Sequence, residues 1–336
     1  MEFSADTKSL AEALEQIQGA VDRKNTIPIL SHCLIEAEAQ GLRLAATDLE
    51  VGVRLFCPAW VKAAGSGAIP ARRLFEIVRS LGGGEVRALE NDWVQVTSGR
   101  STFKLAAMAK KNFPAMPDVP QPLASVPTGV LCGLIERTAF AATQQEGGYT
   151  LNAALLVLKR DQVEMVATDG SRLPLAGRDV KPEGLKNDER LLIPRRALGL
   201  LQRLVGAVEG DMPVAIAKDD SHLFFTAGDS VLITRMIAGE FPRYEAILPQ
   251  PNGVHATLDA ASFREALGRV SLLASEHHHG VSLAFEPGRM TISTTSGDTG
   301  EATESVDASY AGEPFRIGFN YLFLQDFFGV VRRGQV

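Results

Sequence analysis

Three cysteines in 336 residues, Cys33, Cys57 and Cys132, are too few and too widely spaced for a disulfide framework or a four-cysteine zinc site. Their scarcity fits a reducing, cytoplasmic compartment. No apolar run approaches membrane-spanning length. The opening MEFSADTKSL carries an acid early and has no hydrophobic stretch, so neither a membrane span nor a signal peptide is expected. A basic excess is missing too: the net charge is −6, whereas a chain that grips nucleic acid tightly is usually basic. Catalytic constellations are also lacking. Asp48 with Glu50, and Asp169, have no histidine or nucleophile at a persuasive spacing, which argues against a hydrolase. Gly82–Gly84 lacks the Lys-Ser/Thr that follows in a phosphate loop. Glu276 with His277, His278 and His279 is a run of adjacent loop residues, and such histidines rarely converge on one ion, so no metal and no cofactor are expected.

What the chain does have is an internal repeat. The segment LLIPRRALGLLQRLV at 191–205 reads as a short strand, a proline at the first helical turn and a helix with a basic face. The same design occurs as GAIPARRLFEIVRSL at 67–81 and, more weakly, as FRIGFNYLFLQDFFGVV at 315–331. Ile69, Ile193 and Ile317 stand 124 residues apart, and Leu74, Leu198 and Leu322 keep that period. So do Arg72 with Arg196 and Arg79 with Arg203; the third copy has Asn320 and Phe327 at these positions. A second register supports the first: DTKSLAEAL at 6–14 and DAASFREAL at 259–267 each place an N-cap acid before an amphipathic helix. The middle counterpart is expected near 133–142, GLIERTAFAA.

The fold class is therefore α+β, with three tandem repeats of strand, helix, strands, then strand, helix, strands. Proline-rich breaks at 114–127 and 248–253 divide the chain into 1–122, 123–249 and 250–336. Residues 27–57 hold two strand candidates that meet at Gly41. After Ile317 only 19 residues remain, where the first two repeats run on for roughly 50. The third repeat is thus expected to lack its closing strands, leaving Phe323, Phe327, Phe328, Val330 and Val331 short of a sheet to pack on.

Arginines seven apart on one helix share a face. On a single helix that is by default a solvated surface; recurrence at a fixed period is what turns it into a candidate for phosphate contact without base reading. ATDGSRL at 167–173 reads equally as a plain turn at Asp169-Gly170, and the alternation of Phe103 and Leu105 reads first as core burial.

Several segments resemble one family, the bacterial DNA polymerase III beta subunits or sliding clamps: NTIPILSH (25–32), TDLEVGV (47–53), SGRSTFKL (98–105), ATDGSRLPL (167–175), GEFPRYEAILP (239–249) and IGFNYLFLQD (317–326). The resemblance runs the length of the chain, in order, and includes the threefold plan. It implies a non-catalytic processivity factor: a head-to-tail homodimeric ring, helices inward and antiparallel sheets outside, that encircles duplex DNA irrespective of sequence. Such a ring tethers the replicative polymerase, the clamp loader and other proteins carrying a short hydrophobic motif. It tolerates a net acidic charge because topology, not tight binding, keeps it on DNA.

Carried over position by position, the resemblance places Lys24, Gln144, Gln145, Tyr149, Arg195 and Arg196 at DNA, beside the repeat-derived Arg72, Arg79 and Arg203. It places Leu151, Thr168, Gly170, Ser171, Arg172, Leu173, Pro242, Ile247, Asn320 and Phe323 in a peptide pocket. It pairs Phe103, Leu105 and Arg73 of one subunit with Leu272 and Leu273 of the next, with Glu301 and Glu304 facing Arg100 and Lys104. The family's Met-Pro-x-Arg-Leu-like ending is not present and Ala246 replaces a basic rim residue. Pocket completeness and ring closure are open on these grounds, and a clamp-like adaptor that does not close on DNA is the rival expectation.

Overall fold

The computed structural model describes residues 1–21, 27–81, 84–88, 92–142, 152–207, 210–249, 253–297 and 300–336. Lys24, Gly82, Gly83, Gln144, Gln145, Tyr149 and Leu151 lie outside the described residues. The chain forms two compact units, Met1–Pro242 and Arg243–Val336.

The first unit holds two copies of one plan. The first copy comprises β1 (Glu2–Ala5), α1 (Thr7–Gln18), β2 (His32–Glu38), β3 (Gly41–Thr47), β4 (Val51–Cys57), β5 (Trp60–Ala63), β6 (Gly65–Pro70), α2 (Ala71–Ser80), β7 (Gly84–Ala88), β8 (Trp93–Ser98) and β9 (Ser101–Ala106). The second comprises β10 (Ala124–Pro127), α3 (Thr128–Thr138), β11 (Ala153–Leu158), β12 (Val163–Ala167), β13 (Leu175–Arg178), β14 (Glu189–Pro194), α4 (Arg195–Gly206), β15 (Pro213–Lys218), β16 (His222–Ala227) and β17 (Ser230–Arg235). The expected strand over 41–57 is thus two, because Asp48 closes a turn: its Oδ1 accepts from the backbone N–H of Glu50 (3.0 Å) and Val51 (2.7 Å). The middle counterpart of the first helix starts at Thr128 rather than near 133, and Pro127 stands at its N-cap.

Period decides which faces are buried. Ala71, Leu74 and Val78 of α2, and Ala197, Leu198, Leu201, Leu204 and Val205 of α4, recur at three- and four-residue steps and are buried. Along β3 the buried Leu42, Leu44 and Ala46 alternate with the less buried Arg43 and Ala45. One core cluster takes side chains from both repeats, including Leu74, Leu198, Val53 and Leu232.

The joint between the two repeats is a strand ladder. β17 pairs antiparallel with β4, Leu232 opposite Val53 and Ile233 opposite Gly52. This fuses the repeats into an eight-stranded sheet, β10-β15-β16-β17-β4-β3-β2-β6. The second sheet of the first repeat runs β5-β1-β7-β8-β9 and that of the second β13-β12-β11-β14. The helices pack as pairs, α1 on α2 and α3 on α4, and α1 also touches α4 across the joint. Gly19, which ends α1, permits that approach: a Cβ there would lie 2.2 Å from Leu200 Cδ2 and 2.7 Å from Arg203 Nη2.

The second unit contains β18 (Ala256–Leu258), α5 (Ala260–Val270), β19 (Gly280–Glu286), β20 (Arg289–Ser296), β21 (Gly300–Tyr310), β22 (Phe315–Asn320) and α6 (Tyr321–Val330). Its sheet runs β18-β21-β20-β19-β22. Asp259 caps α5 by accepting from Ser262 N at 2.8 Å, as Asp6 caps α1 through Ser9 N at 2.9 Å. Both carboxyls are held below the usual carboxylate range, chiefly by that backbone N–H. The expectation that the closing strands are wholly lacking is corrected in part. Leu258 and Val336 exchange two backbone hydrogen bonds of 3.0 Å, so the last residues line β18 as β7 lines β1 and β15 lines β10. Phe328 is buried, its ring 4.4 Å from that of Phe263. Phe323, Val330 and Val331 are half-buried, and Phe327 is 45% exposed.

Candidate nucleic-acid interface

The predicted arginines stand on α2 and α4, opposite the buried stripes that fix those helices, but they are not equivalent. Arg72 donates to Glu76 Oε1 at 2.9 Å and Arg73 to Glu76 Oε2 at 3.3 Å. The Arg72 hydrogen bond is the main reason the Glu76 carboxyl is held below its ordinary range. Arg79 has no carboxylate partner among the described residues and lies over the Phe75 ring, 5.4 Å from its centroid. Arg203 donates to Gly199 O at 3.2 Å. Arg195 is exposed and makes no ion pair among the described residues. Arg196 differs from all of these: its guanidinium is ion-paired with Asp48, on the first repeat, and donates to Gly19 O at 3.3 Å. Glu12 and Glu15 of α1 line the same groove as Arg79. The helix layer is therefore mixed in charge, and Arg79, Arg195 and Arg203 have no carboxylate partner among the described residues.

Six of the predicted peptide-pocket residues that the structure describes fall in the first unit. Thr168 Oγ1 donates to Arg172 O (2.7 Å) and accepts from Gly170 N (3.0 Å). Asp169 Oδ1 accepts from Ser171 N (3.0 Å) and Arg172 N (3.1 Å), and its Oδ2 accepts from Arg172 Nε at 3.0 Å. Arg172 also lies over the Phe140 ring at 5.1 Å. Gly170 has φ +89°, the left-handed backbone that glycine enters without strain. Leu173 and Pro242 are half-buried. In the second unit Ile247 is 66% exposed, and Asn320 caps α6 by accepting from Leu322 N at 3.0 Å; Phe323 follows within that helix.

The turn at 168–172 repeats one at 47–51, bond for bond. Thr47 Oγ1 donates to Val51 O (3.0 Å) and accepts from Leu49 N (3.0 Å), and Leu49 takes φ 80° where the second copy has Gly170. The sequence carried this signal in the paired Thr-Asp dipeptides of TDLEV and TDGSR. What it did not carry was the partner of each aspartate: Arg172 three residues on for Asp169, Arg196 from another repeat for Asp48. Asp48, which composition offered only as a poor acid/base candidate, is thus a joint residue.

The predicted subunit-contact residues lie on sheet and helix margins. β9 is an edge strand, and its Phe103 and Leu105 are half-buried against the first unit's core. Leu272 is 80% exposed and Leu273 half-buried. Glu301 is exposed. Glu304 is already engaged in its own unit, its two oxygens accepting from Arg269 Nε (2.9 Å) and Nη2 (2.6 Å). That hydrogen bonding holds its carboxyl below the ordinary range, so a pairing with Arg100 or Lys104 has to compete with a bidentate guanidinium. A groove of about 750 Å³ in the first unit lies between β2–β4 and the segment 110–116, lined by Glu36, Arg43, Arg54 and Lys110 among others, and no predicted site residue is in its lining. Among the described residues no group of three or more His, Cys, Asp or Glu converges on a metal site.

Comparison with known proteins agrees with the repeat plan. Models of the N-terminal, central and C-terminal domains of the DNA polymerase III beta subunit match residues 1–117, 125–243 and 245–336. The beta sliding clamp of Pseudomonas putida is 33% identical over 343 residues, covering 100% of this chain and 92% of that protein. The Caulobacter vibrioides clamp is 33% identical over 344 residues with the same coverage. The crystal structure of the DNA polymerase III subunit beta from Pseudomonas aeruginosa superposes with a TM-score of 0.88 at 32% identity, covering 100% of this chain and 92% of that one. A sliding clamp from the same organism bound to griselimycin gives 0.91 at 32%, covering 100% and 91%. With three domain models in tandem and relatives at this identity over its whole length, the chain belongs to the DNA polymerase III beta subunit family, the bacterial sliding clamps.

Proposed function

We propose that this protein is a DNA polymerase processivity factor, a non-catalytic clamp that closes around duplex DNA and tethers the polymerase. The observation that carries the reading is the helix layer of the first unit. Two repeats are fused through one sheet, and their helices sit side by side with Arg72, Arg79, Arg195 and Arg203 on the side away from the core. Cations spread thinly along a helix layer suit phosphates at any sequence, and weak, salt-sensitive contacts let the protein slide.

The β17–β4 ladder supplies a template for ring closure. By the repeat, β4 corresponds to β13 and β21, and β17 corresponds to β9. β9 is an edge strand, and Gly300–Asp307 of β21 is paired on one side, to β20. Repeating the internal joint between copies joins β9 of one subunit to β21 of the next, head to tail, beside Leu272, Leu273, Phe103, Leu105, Arg73 and Glu301. The three clamp domains are assigned to 1–122, 123–249 and 250–336. Within the first unit the turn at 168–172, with Leu173 and Pro242, is assigned to contact with a short hydrophobic peptide from polymerase or clamp loader; within the second unit Ile247, Asn320 and Phe323 are assigned the same role. An apolar slot with few polar anchors suits such a ligand, and a relative is known with griselimycin bound. No helix among the described residues is long and apolar enough to cross a membrane.

The test is loading onto nicked circular DNA with a bacterial clamp loader and ATP, followed by gel filtration. Retention on the circle and release on linearisation are expected. A monomer that is never trapped, yet binds a hydrophobic clamp-binding peptide, establishes the adaptor instead.

A further inference from the structure

We propose that Arg196 is the lock of the joint between the first two repeats, a positioning residue and not a phosphate contact. The proposal rests on the clamp reading only in what the joint serves. Arg196 opens α4 in the second repeat and is anchored twice in the first. Its guanidinium meets Asp48 in the β3–β4 turn and donates to Gly19 O, at the C-terminal end of α1. That helix end carries unsatisfied carbonyls and a partial negative charge, both complementary to a cation.

The acid partner shows what the arginine is for. The Asp48 side chain is 3% exposed. Its Oδ1 is occupied by the backbone N–H groups of Glu50 and Val51, and Oδ2 is left for Arg196. A carboxylate taken out of water needs a cation, and removing that cation leaves an uncompensated buried charge. A DNA phosphate would have to draw Arg196 away from a carboxylate that has no other cation among the described residues. Arg235 strengthens the same seam from β17, with its backbone N–H on Glu50 O at 2.9 Å and its guanidinium on Glu50 Oε1 at 3.4 Å.

Comparison within the chain shows that the lock belongs to this joint. The duplicate turn has the same backbone bonds, but Asp169 takes its cation from Arg172 in its own loop. The third-repeat position that corresponds to Arg196 holds Asn320, whose Oδ1 is spent on its own helix. Two copies of one turn have thus diverged. The first is bolted to the following repeat by an arginine. The second is self-satisfied, and it is the turn assigned above to peptide contact.

The experiment is a double-mutant cycle on the full chain with two readouts. Calorimetry is expected to show Arg196→Gln lowering the transition of the 1–242 unit by roughly 3–8 °C, a shift discounted because Arg196 is half-exposed. Adding Asp48→Asn is expected to recover at least half of that loss, because the stranded charge disappears. Fluorescence anisotropy of a labelled duplex across a salt series is expected to leave the log Kd against log[salt] slope unchanged in Arg196→Gln. In Arg195→Gln, whose guanidinium has no ion-pair partner among the described residues, the slope falls by about 0.9, one phosphate contact. A slope reduced by about 0.9 in Arg196→Gln, or a transition unmoved by it and no rescue by Asp48→Asn, overturns the lock. If the unsubstituted chain binds no duplex, the clamp reading fails, and the calorimetric cycle alone still decides for or against the lock.

Discussion

Leu232→Ala tests whether the first two repeats are one cooperative body. Leu232 sits on β17, fully buried, directly opposite Val53 of β4, and the core cluster it belongs to draws on both repeats. Truncation removes the buried methyl groups and leaves a cavity at the seam, at a cost of about 3 kcal/mol, within the range seen for buried leucines. For a unit of this size each kcal/mol moves the midpoint by about 2–4 °C, so its transition should fall by roughly 6–12 °C. Calorimetry is the assay, with tryptophan fluorescence as a second probe: Trp60 and Trp93 both lie in the first repeat, so a mutation on a second-repeat strand should shift a signal from the first. The transition of Arg243–Val336 should stay where it is, since that unit has its own core. If the tryptophan signal melts unchanged while a separate second-repeat transition moves, the shared core is not a folding unit and the reasoning fails.

Gly19→Ala should destabilise the first unit by about 1–3 kcal/mol, because the new Cβ meets Leu200 and Arg203 across the α1–α4 approach; an unchanged urea midpoint would refute that close contact. Burial pushes the Cys33 thiol to about 12 and, with some help from Asp6, the Cys57 thiol to about 11, so neither should react with iodoacetamide at pH 8 until the protein unfolds; prompt native labelling of either, read by peptide mapping, would contradict it. Glu304, Asp259 and Asp6 have carboxyls below their ordinary values. The unfolded chain therefore binds protons first as acid is added. Their contribution is complete above the usual carboxylate range and is lost as pH falls through the lowered values. Arg269→Gln should flatten the acid limb of the second unit's stability curve, measured as midpoint against pH, since Arg269 is what lowers Glu304.

Much of this protein was present in the order of its residues. The 124-residue spacing of Ile69, Ile193 and Ile317 declared a repeated unit, because each copy must bury the same apolar stripe in the same place. Helix faces, the aspartate caps at Asp6 and Asp259, and the strand alternation all depend on neighbours within a few positions, and local steric and hydrogen-bonding rules are enough to read them. The turn at Asp48 was misread as continuous strand because alternation alone does not reveal a side chain that takes backbone N–H groups for itself. Pairings between distant segments were out of reach in the same way. Nothing in a one-dimensional period says that β17 lies on β4, that Glu304 belongs to Arg269, or that the charge of Arg196 answers a buried carboxylate 148 positions earlier. Those choices are made when the folded chain excludes water from particular groups, and the groups so enclosed must then satisfy one another. Two arginines that looked alike on a helix wheel, Arg196 and Arg203, part company at that step: one is anchored to a buried acid, the other keeps its charge at the surface.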